Sequence, residues 1–358
     1  MNDQLNKSNQ YNIYIADESE WDEWDNFNSK HGNVFQSLSF AKSYKDSGMK
    51  VRLILARDQN NKILGGTFYL IPIPKLNKFF NQLRIVSGPI ILNNDKDIID
   101  KFLIVISYIA KKEKTITIPL RTQFITNKQI FTQNNFSVSD NGPTMSYIND
   151  ITLKKEEIWK NISRTQRKKI NRCKNNNIKI HEVKNIEDLK RFNTIYQKFA
   201  ETVRSWIPIP YELFLSIFKN FENNAKFLIA VKQEATHDNE TKIIDIAAGL
   251  FLIFNKKIIY LANGTNTNYK NFHANSLLIW HMIEWGNMNN YESLDIYGVY
   301  PNPQNNFEKG MNFFKSQFGG QLTEKFMYTN KTLSKTKLFL FRKVILPMLL
   351  PVYKKVTK

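Results

Sequence analysis

The sequence predicts an α/β (α+β) chain of two tandem domains, each built on a mixed, largely antiparallel sheet. Three observations carry this. The chain has 358 residues, enough for two hydrophobic cores. One order of elements, a strand, then helices, then a run of antiparallel strands, is legible twice. Helical and alternating hydrophobic periods succeed one another with short polar turns between them. The expected domains are 11–150 and 151–328, followed by a basic, apolar tail over 329–358.

In the first domain, residues 11–15 alternate apolar and polar as a strand should. Ser19 opens S-E-W-D-E-W, with Trp21, Trp24 and Phe27 at helical spacing and acids in the first turn. Phe35-Gln36-Ser37 leads into a second helix through Phe40 and Tyr44, closed near Gly48. Strands are expected over 51–56 and 64–72 across the turn D-Q-N-N-K, then a basic, aromatic loop over 76–80. A strand over 84–91 carries S-G-P; an amphipathic helix over 97–111 and strands over 115–119 and 144–148 complete the domain.

The second domain opens on E-E-I-W-K-N-I-S-R-T-Q-R-K-K-I-N-R-C-K. Ile158, Ile162, Ile170 and Cys173 form its apolar stripe, while Arg164, Arg167, Lys168, Lys169, Arg172 and Lys174 crowd the other faces. Such a helix holds phosphates by charge or is simply a solvated face, and the spacing leaves both open. A strand over 178–183 precedes a helix over 186–203 that starts after Asn185, and I-P-I-P stops it. A helix over 211–221 follows, then strands over 226–231, 244–254 and 257–263, with a polar hairpin loop over 233–241. A further helix spans 274–286.

Lys and Arg number 51 against 32 acids, a formal charge of +19, which favours a polyanion such as RNA or an anionic lipid leaflet. The single cysteine, Cys173, rules out an intramolecular disulfide. No apolar leader opens the sequence, and no run reaches the roughly 20 apolar residues that span a bilayer. The protein is therefore expected in the cytoplasm, free or peripheral on the inner face of the membrane. His273 and His281 lack accompanying acids or cysteines, so no metal is expected. No Gly-x-Ser-x-Gly elbow is present and Cys173 has no paired base, which argues against covalent catalysis.

The richest stretch is D-I-Y-G-V-Y-P-N-P-Q-N-N-F-E-K-G-M-N-F-F-K-S-Q-F-G-G, residues 295–320. A short strand over 294–297 puts Asp295 and Tyr297 on one side, and Pro301 and Pro303 shape a loop. Positions 307, 311, 314 and 318 are apolar and mark one buried helical face. Lys315 follows Phe314 and so leaves the helix about 100° away, beside the core. Gly319-Gly320 stops the helix, and a strand over 321–328 returns. Lys315 either steadies a developing oxyanion or protonates a leaving oxygen, or it is an ordinary helical lysine with a solvated tip.

The order of elements resembles acyltransferases of the GNAT type. Acetyl-CoA users of that type have a Gly-rich loop before the helix over 274–286, whereas Tyr269 and Phe272 stand here. The motifs R-T-Q-R-K-K-I-N-R-C-K, E-T-V-R, A-N-S-L-L-I-W-H-M-I, D-I-Y-G-V-Y and F-F-K-S-Q-F-G-G, in this order, resemble the Fem (FemABX-like) peptidyltransferases. Phe35-Gln36-Ser37 and Ser87-Gly88-Pro89 resemble that family's first domain, and the likeness runs over 21–328.

The resemblance implies two GNAT-like domains and transfer of an amino acid from aminoacyl-tRNA to an amine of a cell-wall peptide precursor. It implies Phe314 and Lys315 as the catalytic motif and Arg204 and Tyr211 near the acceptor; since the acceptor amine must be neutral to attack, Asp295 is a candidate base, with direct passage of the proton to the leaving group as the alternative. Tyr297 and Tyr300 would line the site, with Gln36 and Lys45 as first-domain substrate contacts. Lys42 or Lys45 would stand in, because the lysine some members place on a precursor phosphate falls near Tyr44. Arg164, Arg167, Lys168 and Arg172 are the expected RNA or phosphate contacts. No resident cofactor is expected, the co-substrate being aminoacyl-tRNA, or acyl-CoA in the alternative enzyme; a non-catalytic RNA- or membrane-binding protein is the third reading. The acceptor is soluble or lipid-linked, the chain is taken as a monomer, and the basic, apolar segment 336–356 is a candidate membrane contact. The long charged helical arm that some family members carry is missing between Glu201 and Asn263.

Overall fold

The computed structural model describes residues 11–72, 81–139, 142–204, 208–235 and 241–345. The chain divides into two units, 1–142 with 326–358, and 143–325.

In the first unit, Tyr11–Ala16, Lys50–Asp58, Ile63–Ile71 and Ile90–Ile91 form an antiparallel sheet in that order. Trp21–His31 lies on it, with Trp24 fully buried and Phe68 edge-on to Trp21 at 5.0 Å. A second sheet orders Ile85–Val86, Thr117–Thr122, Met327–Thr332 and Ser137–Ser139, with the first pair parallel. The strand expected over 84–91 is thus two strands in different sheets, parted at S-G-P. Lys96–Lys112 is the long helix, capped by Asp95 and packed through Phe102, Ile106 and Ile109. The expected loop over 76–80 lies outside the described residues.

The second unit is one seven-stranded sheet, ordered Gln321–Glu324, Met145–Asp150, Ser293–Val299, Lys257–Thr265, Thr241–Phe254, Ala225–Ala235 and Lys179–Glu182. Lys257–Thr265 and Ser293–Val299 pair in parallel, which requires a crossover; the helix Ala274–Met288 supplies it and buries Leu278, Trp280 and Ile283. Asn185 caps Ile186–Phe199 through the Asp188 amide, 2.9 Å. The expected loop over 233–241 is shortened by longer strands, and 236–240 lie outside the described residues.

The strands 145–150 and 327–332 change sides relative to the expected boundaries. Met145–Asp150 pairs with Ser293–Val299 in the second unit, and Met327–Thr332 pairs with Thr117–Thr122 in the first. The expected strand over 321–328 is two strands, one in each unit. The expected basic helix is also two: Lys155–Asn161 ends at Ile162, and Ser163 caps Arg164–Asn175 through the Gln166 amide.

Candidate active site

The strand Ser293–Val299 bulges near its end. Its register with Met145–Asp150 shifts between Ile296 and Val299, and Gly298 adopts φ +83°, a region glycine enters without strain. Successive carbonyls of a regular strand point to opposite edges. Past this bulge the carbonyls of Tyr297 and Gly298 both accept from Lys315 Nζ. A Cβ on Gly298 would stand 3.4 Å from that nitrogen, so the glycine also leaves the ammonium its space.

Lys315 is 5% exposed and is the buried residue of the helix Asn306–Ser316. The side chain expected beside the core is inside it. The face expected to be buried is only partly so: Phe318 is 1% exposed and Phe314 packs against the core, whereas Met311 is half-buried and Phe307 is 37% exposed. Phe307, Met311, Phe314 and Lys315 line a cavity of ≈ 530 Å³. Phe314 rests edge-on against the buried Phe318, ring centroids 5.3 Å apart. Phe199, Asn263 and Thr265 line the cavity from other elements, as does the first turn of Ala274–Met288, where Asn275 donates to the Thr265 hydroxyl at 2.7 Å. His273, also in the wall, has a lowered pKa because burial and the charges of Lys169 and Arg172 disfavour its imidazolium. An ammonium is costly to bury without acceptors. Held by two carbonyls at an apolar cavity, it can stabilise negative charge developing beside it.

Asp295 departs from the expected role. Its carboxylate is 4% exposed and paired with Lys325, whose own side chain is 15% exposed, and it is not among the residues lining the cavity. A base must reach the proton it removes; one oxygen of this carboxylate is on Lys325, and the other, Oδ1, is buried without a hydrogen-bond partner among the described residues. Gln36 departs as well. It is 1% exposed, accepts from the Phe68 amide at 2.6 Å and donates to the Val86 carbonyl at 2.8 Å, so it ties two strands of the first unit together. Lys45, in the same unit, forms an ion pair with Glu18 at 2.6 Å on the surface.

Tyr297 enters the site through its carbonyl. Tyr300 is held at its backbone by Asn312, which accepts from the Tyr300 amide at 3.0 Å and donates to its carbonyl at 2.6 Å. Asn312, Gly298 and Asn275 were not singled out in the sequence; of these, only Gly298, a glycine inside a strand pattern, carries a local signal. Tyr211 begins the helix Tyr211–Asn220. Arg204 closes the turn Ala200–Arg204, and its side chain lies outside the described residues. On Arg164–Asn175, Arg164, Lys168 and Arg172 are exposed and Arg167 is half-buried. The helix is anchored by Gln166, whose amide donates to the Ser276 hydroxyl at 2.5 Å, and by the Ser163 amide on the Gln317 carbonyl at 2.9 Å, just beyond the Lys315 helix. Tyr269 and Phe272, which replace the glycines of a coenzyme A loop, stack with centroids 6.3 Å apart. Among the described residues no helix is long and apolar enough to cross a membrane.

Comparison with known proteins agrees with this architecture. None of the curated proteins matches the sequence. The crystal structure of FemX superposes with a TM-score of 0.69 at 17% identity, covering 90% of this chain and 98% of that one. A tandem GNAT protein from the clavulanic acid biosynthesis pathway gives 0.58 at 10% identity, over 90% and 99%. L-PGS from Bacillus licheniformis gives 0.53 at 11%, over 92% and 97%. At these identities the likeness is one of fold, two GNAT-like acyltransferase domains in tandem. The FemAB family model matches the sequence itself, over residues 17–154, 136–235 and 231–340. The chain belongs to the FemAB family and is an aminoacyltransferase or acyltransferase of the peptidoglycan-related class.

Proposed function

We propose that the protein transfers an aminoacyl group from aminoacyl-tRNA to an amine of a peptidoglycan-type envelope precursor, with Lys315 at the reacting carbonyl. The observation that carries this is the arrangement of Asn306–Ser316: the helix buries its lysine against two backbone carbonyls and lines a cavity with that lysine, Phe307, Met311 and Phe314. The neutral amine attacks the ester carbonyl, and the Lys315 ammonium stabilises the resulting oxyanion. The new C–N bond forms, the ester C–O bond breaks, and the proton leaving nitrogen passes to the departing ribose oxygen. Because Asp295 is held by Lys325, this proton moves directly rather than through a carboxylate. Phe314, which lines the same cavity as Lys315, is assigned to the catalytic motif with it, and the chemistry needs no resident cofactor.

Arg164, Lys168 and Arg172 are exposed on one anchored helix, which suits them to the phosphates of the tRNA. Arg204 and Tyr211 are assigned to the acceptor, and Tyr297 and Tyr300 to the wall beside it. Phe339, 62% exposed, with Leu340 and Val344, stands among Lys335, Lys337, Arg342 and Lys343. That mixture fits contact with an anionic leaflet, where a lipid-linked acceptor would be presented; the rest of the segment, 346–356, lies outside the described residues. The test is incubation of the purified protein with aminoacyl-tRNA or acyl-CoA and candidate amines, following donor consumption and product mass. Amide product from aminoacyl-tRNA alone is expected, and Lys315→Met should slow turnover by about 10²–10³-fold. Turnover near normal in that variant, or use of acyl-CoA alone, would sink the assignment.

A further inference from the structure

Asparagine is a weak helix former because its side chain competes for backbone hydrogen bonds, yet Asn312 stands inside the helix Asn306–Ser316. It is not the cap; Asn305 is, accepting from the Glu308 amide at 2.9 Å. The Asn312 amide serves another segment, accepting from the Tyr300 N–H at 3.0 Å and donating to the Tyr300 carbonyl at 2.6 Å. That is the pair of bonds a neighbouring strand would make. Strands do not reach this far: Lys257–Thr265 pairs with Ser293–Val299 only over 293–295, and the last pairing with Met145–Asp150 is Val299 with Met145. Pro301, next in the chain, has no N–H to offer. Lys315 lies three residues beyond Asn312 on the same helical face, and its Nζ takes the carbonyls of Tyr297 and Gly298. The helix thus grips the chain over 297–300 twice, through Lys315 at the bulge and through Asn312 just past it.

We infer that Asn312 is a positioning residue for transfer: by fastening Tyr300 to the helix that carries Lys315, it fixes the two carbonyls that hold the ammonium, and with them the place of the charge at the reacting carbonyl. This rests on the transfer reading of Lys315. Without Asn312 the ammonium itself becomes the tie between helix and turn, so a shift of either moves the charge, and a displacement of about 1 Å costs on the order of 10²-fold in rate. Asn312 is not among the residues lining the cavity, so it acts through Lys315 and leaves substrate binding alone.

The experiment compares Asn312→Leu, which keeps the volume and removes both hydrogen bonds, with Asn305→Ala, which loosens the start of the same helix without touching Tyr300. Two quantities are measured on the full chain: transfer kinetics, and the rate at which an amine-acylating reagent modifies Lys315, read by peptide mass spectrometry. Asn312→Leu should lower kcat by about ten- to a hundredfold with donor and acceptor KM within about threefold of the wild type, and Lys315 should acylate at least about tenfold faster. Asn305→Ala should change both by less than about threefold. In the Lys315→Met background Asn312→Leu should cost little further, because groups that act as one unit are not additive. Thermal unfolding checks each variant, and Asn312→Ala takes the place of a leucine variant that fails to fold. Wild-type kcat and acylation in Asn312→Leu, an equal effect from Asn305→Ala, or a full further loss on top of Lys315→Met overturns the inference. If Lys315→Met transfers normally while Asn312→Leu exposes Lys315 to acylation, the transfer reading is lost and the clamp stands. If Lys315→Met abolishes transfer while Asn312→Leu changes neither quantity, the clamp is lost and the reaction stands.

Discussion

Asp295→Asn separates two roles that the residue pattern alone cannot. As a general base, Asp295 would accelerate turnover by about 10²–10⁴-fold, with little effect on folding. The structure assigns the opposite signature. The carboxylate is 4% exposed and its partner Lys325 15%, so the pair is well inside the second unit. Removing one member of a buried pair strands the other charge, at roughly 3–5 kcal/mol. Asparagine keeps one oxygen for the Lys325 ammonium, which puts the expected loss near the lower end, about 3 kcal/mol. Urea unfolding of the full chain should show this as a lowered midpoint, while turnover stays within about tenfold of the wild type. Asp295→Asn combined with Lys325→Met should recover most of the stability, since no unpaired ammonium remains. Turnover slowed by about a hundredfold or more at an unchanged midpoint would refute the structural role and restore the base.

Gln36→Ala should leave the Phe68 amide and the Val86 carbonyl without their buried partner, at about 1–3 kcal/mol each, and leave the acceptor KM unchanged. Urea midpoints read against KM check it, and a raised KM at full stability would count against this role. The Cys173 thiol is buried, donates to the Phe272 carbonyl at 2.9 Å, and is pushed up to about 11 by desolvation. A thiol-specific disulfide reagent at pH 8 should therefore react with it only on unfolding; fast labelling of the native chain would contradict the burial. Arg164→Ala and Lys168→Ala should each reduce the slope of log K against log salt for tRNA binding by about 0.7–0.9, and an unchanged slope in both would return the helix to a solvated face.

What the sequence revealed, and what it hid, follows from the range over which each feature is determined. The start of Ile186–Phe199 was legible because Asn185 acts on an amide three residues away. The stop at Gly319 was legible because the left-handed turn is local. Met145–Asp150 was legible as a strand, but its sheet was not, since its partner Ser293–Val299 lies more than a hundred residues on. The surroundings of Gln36 and Asp295 were hidden for the same reason. Each is polar beside a suggestive motif, and the groups that satisfy them, Val86 and Phe68 in one case and Lys325 in the other, are placed by tertiary pairing. Lys315 is the informative contrast. Helix geometry put it beside the core, and the bulge at Gly298 explains how an ammonium can be held inside instead. A buried polar side chain that ties strands together, as Gln36 does, needs its site filled by protein. Lys315 is likewise held by backbone, yet it also lines a cavity. Fixation by protein on one side and unfilled volume on the other distinguish a residue placed to meet a ligand from one placed to support the fold.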